Sequence, residues 1–248
     1  MKVSIITVVL NGKQTIEDCI KSIRCQKYPN IEHIVIDGGS SDGTLEIIKK
    51  YQSNIACLVS EPDRGIYDAM NKGIRLATGD IVGILNCDDM YVDDHVIDDV
   101  VAAMLQNGVD TCYGDLQYVK RENTARVVRY WHSDSFSKNK FKYGWMPPHP
   151  TFFVKKIVYE KYGFFNTDLA IAADYELMLR FLYRNGVSTV YIPKVLVKMR
   201  TQGNSRPGLC NTLRMMREEY RAWKLNGLNP NITTFILKRL AKLRQFLK

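Results

Sequence analysis

Four polar clusters in the first ninety residues each follow a short apolar run: Asn11 after 3–9, Asp37 after 34–36, Glu61-Pro62-Asp63-Arg64-Gly65 after 57–59, and Asn86-Cys87-Asp88-Asp89 after 81–85. The last is the most reactive in type. Two adjacent carboxylates raise each other's pKa unless a cation meets them, and hard oxygen ligands suit Mg²⁺ or Mn²⁺ shared with a substrate phosphate. The same acids would equally serve as solvated first-turn residues of a following helix. Farther along, Asp174 opens an amphipathic segment with Leu177, Phe181 and Leu182 on its apolar side. There it is either a helix-start acid or a carboxylate able to take a proton from a hydroxyl. His149 is set in the stiff Pro147-Pro148-His149-Pro150-Thr151 run, with Tyr143 and Trp145 just before it. The histidine is a sugar contact or a satisfied structural residue, and the aromatics are sugar-stacking or core side chains. Arg200 and Arg206 flank a polar loop and either neutralise diphosphate charge or are simply solvated.

The elements that would position these residues alternate. The β-branched run 3–9 reads as a buried strand, followed by a helix that begins with Thr15 and Asp18 and carries Ile16, Ile20 and Ile23 at helical spacing. Strands at 34–36, 57–59 and 81–85 alternate with helices at 44–51, 66–77 and 93–106. This order implies a mostly parallel sheet with helices on both faces, in which ligands bind beyond the carboxyl ends of the strands. After 108 the pattern changes to strand-like pieces at 111–119 and 125–131. An aromatic, basic stretch, helices near 158 and over 175–184, and strands near 190 and 197 follow. Two helices over 209–225 and 232–247 close the chain. The division is one domain over 1–208, with a nucleotide half (1–108) and an acceptor half (109–208), and a basic helical extension over 209–248.

Composition excludes disorder and a disulfide-stapled scaffold: the chain has 248 residues, 46% hydrophobic and 25% charged. The six cysteines show no metal-like spacing and read as free thiols in a reducing compartment. Met1-Lys2 and the apolar run after them lack a small-residue cleavage site, and no stretch reaches the ~20 apolar residues of a membrane span. The reading is a cytoplasmic protein. Of the net charge of +9, all the excess lies from Lys194 onward, where 13 basic residues face 2 acidic ones.

The runs Val3-Ser4-Ile5-Ile6-Thr7-Val8-Val9-Leu10-Asn11, Ile36-Asp37-Gly38-Gly39-Ser40-Ser41-Asp42-Gly43-Thr44 and Leu85-Asn86-Cys87-Asp88-Asp89, in this order, resemble the family-2 glycosyltransferases of GT-A fold. The segment 60–73 is similar to the version found in enzymes that build bacterial surface polysaccharides, including lipopolysaccharide O-antigen. The resemblance covers about residues 1–205. It implies a GT-A-like α/β nucleotide-binding sandwich. In that fold Thr7 and Asn11 line the nucleotide pocket, Asp37 reads the base (usually uracil), and Asn71 and Gly73 approach the nucleoside or phosphates. It further implies that Asn86 bonds the ribose and Asp88 ligates a divalent cation (Mn²⁺ or Mg²⁺) at the diphosphate. Asp174 is implied as the general base. Gly38 stands where a second acid is common, Asn86 replaces the first acid of the D-x-D motif, and Ala173 replaces the acid usual before the base. Gln202 stands near a histidine that many relatives carry.

Ile232, Ile236, Leu240, Leu243 and Leu247 fall on one helical face opposite Lys238, Lys242 and Lys248. This is the pattern of a basic amphipathic helix at a membrane surface, and also of a helix packed on the domain with its charges solvated. No nucleic-acid motif is present. The expectation is an inverting transferase that moves a sugar from a nucleotide-diphospho-sugar to a hydroxyl of a lipid-linked saccharide, peripheral on the inner face of the cell membrane. Two alternatives stand beside it: a sugar-phosphate nucleotidyltransferase and a non-catalytic nucleotide-sugar binder. Oligomeric state is left open.

Overall fold

The computed structural model describes residues 1–201, 209–230 and 234–235. Gln202, Arg206 and most of the basic helix expected over 232–247 lie outside the described residues. Strand β1 (Val3–Val9) is buried at all seven positions, because a central strand covered on both faces has no solvent side to alternate with. Helix α1 (Ile16–Arg24) follows, then β2 (Ile31–Asp37), α2 (Thr44–Lys50), β3 (Cys57–Ser60), α3 (Ile66–Leu76) and β4 (Ile81–Ile84). These four strands are parallel in the order β3-β2-β1-β4. Successive connections leave β1 on opposite sides, so a crevice opens at the carboxyl ends of β1, β2 and β4, the position favoured for ligands in such sheets.

Beyond β4 the sheet becomes mixed. Strand β5 (Asp89–Tyr91) and α4 (Val96–Asn107) lead to β6 (Thr111–Val119) and β7 (Val127–Trp131). Strand β8 (Phe153–Lys155), α5 (Lys156–Tyr162), α6 (Ala173–Met178) and β9 (Thr189–Arg200) complete the sheet. Strand β8 bridges β4 and β6 antiparallel, β9 runs parallel to β6, and β5 and β7 add antiparallel. The parallel arrangement expected from the alternating elements holds for the first four strands, and β9 beside β6 adds one more parallel pair. Two short strands, β5 and β8, were not read from the sequence, and the strands expected near 190 and 197 are one strand. Asp89 therefore opens a strand, and α4 begins later, after His95.

Separate apolar clusters cover the two faces of the sheet. One joins Ile6, Val8, Ile34 and Ile36 to α3 and α6; the other joins Val3 and Ile5 to α1 and α4. Helix α7 (Leu209–Leu225) is fastened to α6. Ala222 and Trp223 are buried, Trp223 Nε1 donates to the Tyr175 hydroxyl (2.8 Å), and Asn226 Nδ2 donates to Glu176 (3.0 Å). Cys19, Cys25, Cys57, Cys87 and Cys112 are free thiols. Among the described residues no helix is long and apolar enough to cross a membrane.

Candidate active site

The crevice edge is built from loops that close on one another. Asn11 adopts φ 54°, a left-handed conformation that Asn tolerates. Its Oδ1 accepts from the Ser41 amide (2.9 Å), and its own amide donates to Ser40 Oγ (2.8 Å). Asp37 is fully buried and accepts from the Ser60 hydroxyl (2.7 Å) and the amides of Ser40 (3.1 Å) and Gly39 (3.3 Å). The loops after β1, β2 and β3 are thereby tied into one rim. Asp63, from the loop before α3, leans over Gly38, where a Cβ would overlap its Oδ2. A carboxylate from another loop so occupies the place of the acid missing at Gly38.

Several residues expected at the ligand, from the resemblance or from their type, make contacts inside the protein. Thr7 is fully buried, and its hydroxyl pairs with His33 Nε2 (3.0 Å), a histidine that burial lowers to about 4. Asn71 donates to the Phe165 carbonyl (2.9 Å) and accepts from the Phe165 amide (2.9 Å), clamping α3 to the loop before α6. A Cβ on Gly73 would overlap Ile6, so this glycine lets α3 approach β1. Trp145 donates to the Ser133 carbonyl (2.6 Å) and packs against Tyr113 and Phe141, which makes it a core aromatic. Arg200 is 3% exposed; it pairs with Asp18 and donates to the carbonyls of Asp88 (3.0 Å) and Arg121 (3.2 Å). It braces the acidic loop through the backbone.

Within that loop Asp88 is half-buried, Asn86 has a buried Oδ1 with no partner among the described residues, and Asp89 is fully buried with neither oxygen paired. Burial, then the neighbouring Asp88 charge, holds the Asp89 carboxyl well above the usual range. Only Asp88 is thus placed as a hard anionic ligand at the edge. No cluster of three or more His, Cys, Asp or Glu able to hold a metal exists among the described residues. The donor set fits a cation shared with a diphosphate and does not form a protein-only cage.

Asp174 lies in the first turn of α6 with one-fifth of its side chain exposed, and its Oδ2 is 3.3 Å from His149 Nδ1. Tyr67, from α3, approaches Oδ1 at 3.5 Å and donates to the Ile171 carbonyl at 2.8 Å. Burial and the Asp174 charge push the Tyr67 phenol up, so it stays protonated. Glu218, from α7, accepts from the amides of Ile171 (2.7 Å) and Ala172 (3.1 Å), fixing the entry to α6. Asp89, Met199 and Tyr118 stand in register across β5, β9 and β6. The Tyr118 phenol is raised chiefly by burial. Sequence reasoning singled out Asp174 and His149 separately and missed Tyr67 and Glu218. The available signals were a lone tyrosine in the first turn of α3 and an adjacent acid pair in an otherwise basic C-terminal helix.

Comparison with known proteins bears on the family and the fold. Residues 4–171 match the family model described as Glycosyl transferase family 2. An "uncharacterized glycosyltransferase" of Mycobacterium tuberculosis is 35% identical over 180 residues, 72% of this chain and 68% of that one. A "PGL/p-HBAD biosynthesis glycosyltransferase" of Mycobacterium bovis is 28% identical over 214 residues, 85% and 79% of the two chains. The fold is also that of S. aureus TarS 1–349 in complex with UDP-GlcNAc, with TM-score 0.72, 19% identity, and coverage of 100% of this chain and 72% of that one. It spans 43% of a longer TarS chain. The mannosyltransferase PcManGT from Pyrobaculum calidifontis, in complex with GDP-Man and Mn²⁺, superposes with TM-score 0.68 at 21% identity, over 99% of this chain and 72% of that one.

Proposed function

This chain belongs to the family-2 glycosyltransferases, and from that premise we propose that it is an inverting enzyme transferring a sugar from a nucleotide-diphospho-sugar, a UDP-sugar, to a hydroxyl of a lipid-linked saccharide. The observation that carries the reading is the convergence of Asn11, Asp37 and Asn86–Asp88 at the carboxyl ends of β1, β2 and β4, beside which stands a partly exposed carboxylate, Asp174, within reach of His149 and Tyr67. Solved neighbours of the same fold are complexes with UDP-GlcNAc and with GDP-Man and Mn²⁺, which supports a nucleotide-sugar donor and a divalent cation.

In this reading Asp37 and Asp63 face the base, Asn86 faces the ribose, and Asp88 would hold Mn²⁺ or Mg²⁺ together with the diphosphate. The cation, when bound, supplies Lewis-acid stabilisation of the departing diphosphate. Asp174 takes the acceptor hydroxyl proton as that oxygen bonds to the anomeric carbon from the face opposite the diphosphate. The bond to the diphosphate breaks, and its electron pair leaves with UDP. Inversion turns an α-linked donor into a β-linked product. Arg200, committed to Asp18 and the Asp88 carbonyl, acts by fixing the loop. The basic stretch 232–248 extends the proposal to an anionic membrane surface, where the acceptor would reside. Deleting it should weaken binding to anionic vesicles and leave UDP binding intact; unchanged vesicle binding overturns that extension.

The test of the activity is UDP release from a panel of UDP-sugars with and without Mn²⁺. Metal-dependent release from one donor supports the reading. Pyrophosphate release from UTP would favour the nucleotidyltransferase, and absence of turnover with every donor would favour the binder.

A further inference from the structure

Resting on the reading of Asp174 as the base, we propose that His149 is its positioning residue: the imidazole holds Oδ2 so that Oδ1 alone is presented to the acceptor hydroxyl. His149 Nδ1 lies 3.3 Å from Asp174 Oδ2, within ion-pair distance; because an ionised carboxylate only accepts hydrogen bonds, the imidazole holds that oxygen with its proton on Nδ1. The other oxygen is treated differently. Tyr67 carries a single hydroxyl proton, and its 2.8 Å contact to the Ile171 carbonyl outcompetes the 3.5 Å contact to Oδ1. Oδ1 thus keeps a lone pair that no short hydrogen bond claims among the described residues, while Oδ2 is held.

The imidazole owes its placement to a frame independent of α6. Pro148 and Pro150 fix the backbone on both sides of His149, and its carbonyl accepts from the Phe152 amide (3.2 Å). Thr151 is fully buried and ties the turn to β6: its hydroxyl accepts from the Gly114 amide (3.3 Å), and its one proton is shared between the carbonyls of Pro148 (2.9 Å) and Gly114 (3.0 Å). One partner of the pair is therefore anchored to β6 and the other to α6. Their contact sets the carboxylate's rotation about its last side-chain bond, which α6 alone leaves free. About one-third of the histidine side chain remains exposed, so the pair borders the cleft.

The discriminating variants are His149→Asn and His149→Gln, because the Asn amide nitrogen overlays Nδ1 and the Gln amide nitrogen overlays Nε2. With the full chain, His149→Gln and His149→Ala should lower kcat about 10²-fold, the scale expected when a catalytic group loses its alignment. Donor KM and UDP affinity should stay within about twofold. His149→Asn should recover kcat to within about fivefold of the parent, and added imidazole should restore part of the activity of His149→Ala. Equal kcat for His149→Asn and His149→Gln overturns the proposal, as does a parallel loss of UDP affinity, which would make His149 a donor contact. Asp174→Asn is measured beside them. If it retains transfer, the base reading itself has failed, a result distinct from His149 failing to act through a working base.

Discussion

The two halves of the domain, proposed to bind nucleotide and acceptor, assemble their polar residues in opposite ways. In the first, Asn11, Asp37 and Asn86–Asp88 sit at or just beyond strand ends, and four parallel strands deliver the loops to one edge. There the hydrogen bonds of Asn11 with Ser40 and Ser41, and of Asp37 with Ser40 and Ser60, close them into a rim. In the second, one carboxylate depends on pieces far apart in the chain. Tyr67 stands 107 positions from Asp174, and Glu218 holds the amide of Ile171 from 47 positions away. The rim is cross-braced and tolerant of single losses, whereas the base is concentrated in one group with distant supports. Binding and chemistry should therefore separate under mutation.

The strongest test of that separation is Asp174→Asn. Loss of a general base should lower transfer by about 10³-fold, and UDP affinity measured by calorimetry should be unchanged because no rim contact involves Asp174. A comparable fall in UDP affinity would show that the halves are not separable. Next in size is an acid effect that belongs to the nucleotide half alone. His33 is buried neutral at about 4, against about 6.5 when unfolded. The unfolded chain binds the extra proton between those values. The stability is therefore fully present above pH 6.5, falls by about 3 kcal/mol as pH drops to 4, and levels below. Glu32, lowered to about 2 by Lys2, Ser4 and Thr78 against the cost of burial, adds a second loss between pH 4.5 and 2. Urea unfolding of His33→Gln, which keeps a partner for Thr7, should be flat between pH 6.5 and 4.5. A slope equal to the parent's would place the titrating group elsewhere.

Glu218→Ala probes the supports of the base. It strips the acceptor from two amides at the entry to α6, at a cost of about 2 kcal/mol. Transfer should fall with the melting temperature while the folded protein binds UDP as before; an equal loss of UDP affinity would extend the influence of α7 to the rim.

The same contrast explains what could be read from the residues. The run 3–9 is legible because a strand buried on both faces is continuously apolar, and the rim loops are legible because they interrupt such runs with Asn, Asp and Gly. Strands β5 and β8, three residues each, carry no periodicity and exist through pairing with β9, β4 and β6. For that reason Asp89, which reads as a solvated helix-start acid, is a buried strand residue. Thr7 illustrates a second gap: in a strand covered on both sides, alternation does not say which face meets the ligand and which meets α1. That His149 touches Asp174 is equally hidden, since it depends on how the Pro148–Pro150 turn is hung from β6.

Gly73 gives the finest test of the comparison, because a nucleotide contact and a packing glycine make opposite predictions there. A Cβ at this position would overlap the Ile6 side chain at the middle of β1 and lie 3.4 Å from Ile36 Cγ1. Both neighbours are completely buried, with no solvent side into which to move. Gly73→Ala should therefore push α3 off the sheet and cost about 1–2 kcal/mol, the scale of one extra methyl in a filled core, offset in part by the better helix propensity of Ala. Because α3 also carries Tyr67 and the Asn71 clamp, the displacement should reach the acceptor half and lower kcat a few-fold, with UDP affinity unchanged. A variant with parental stability and weakened UDP binding would return Gly73 to the nucleotide pocket and make the first half, like the second, dependent on individual side-chain positions.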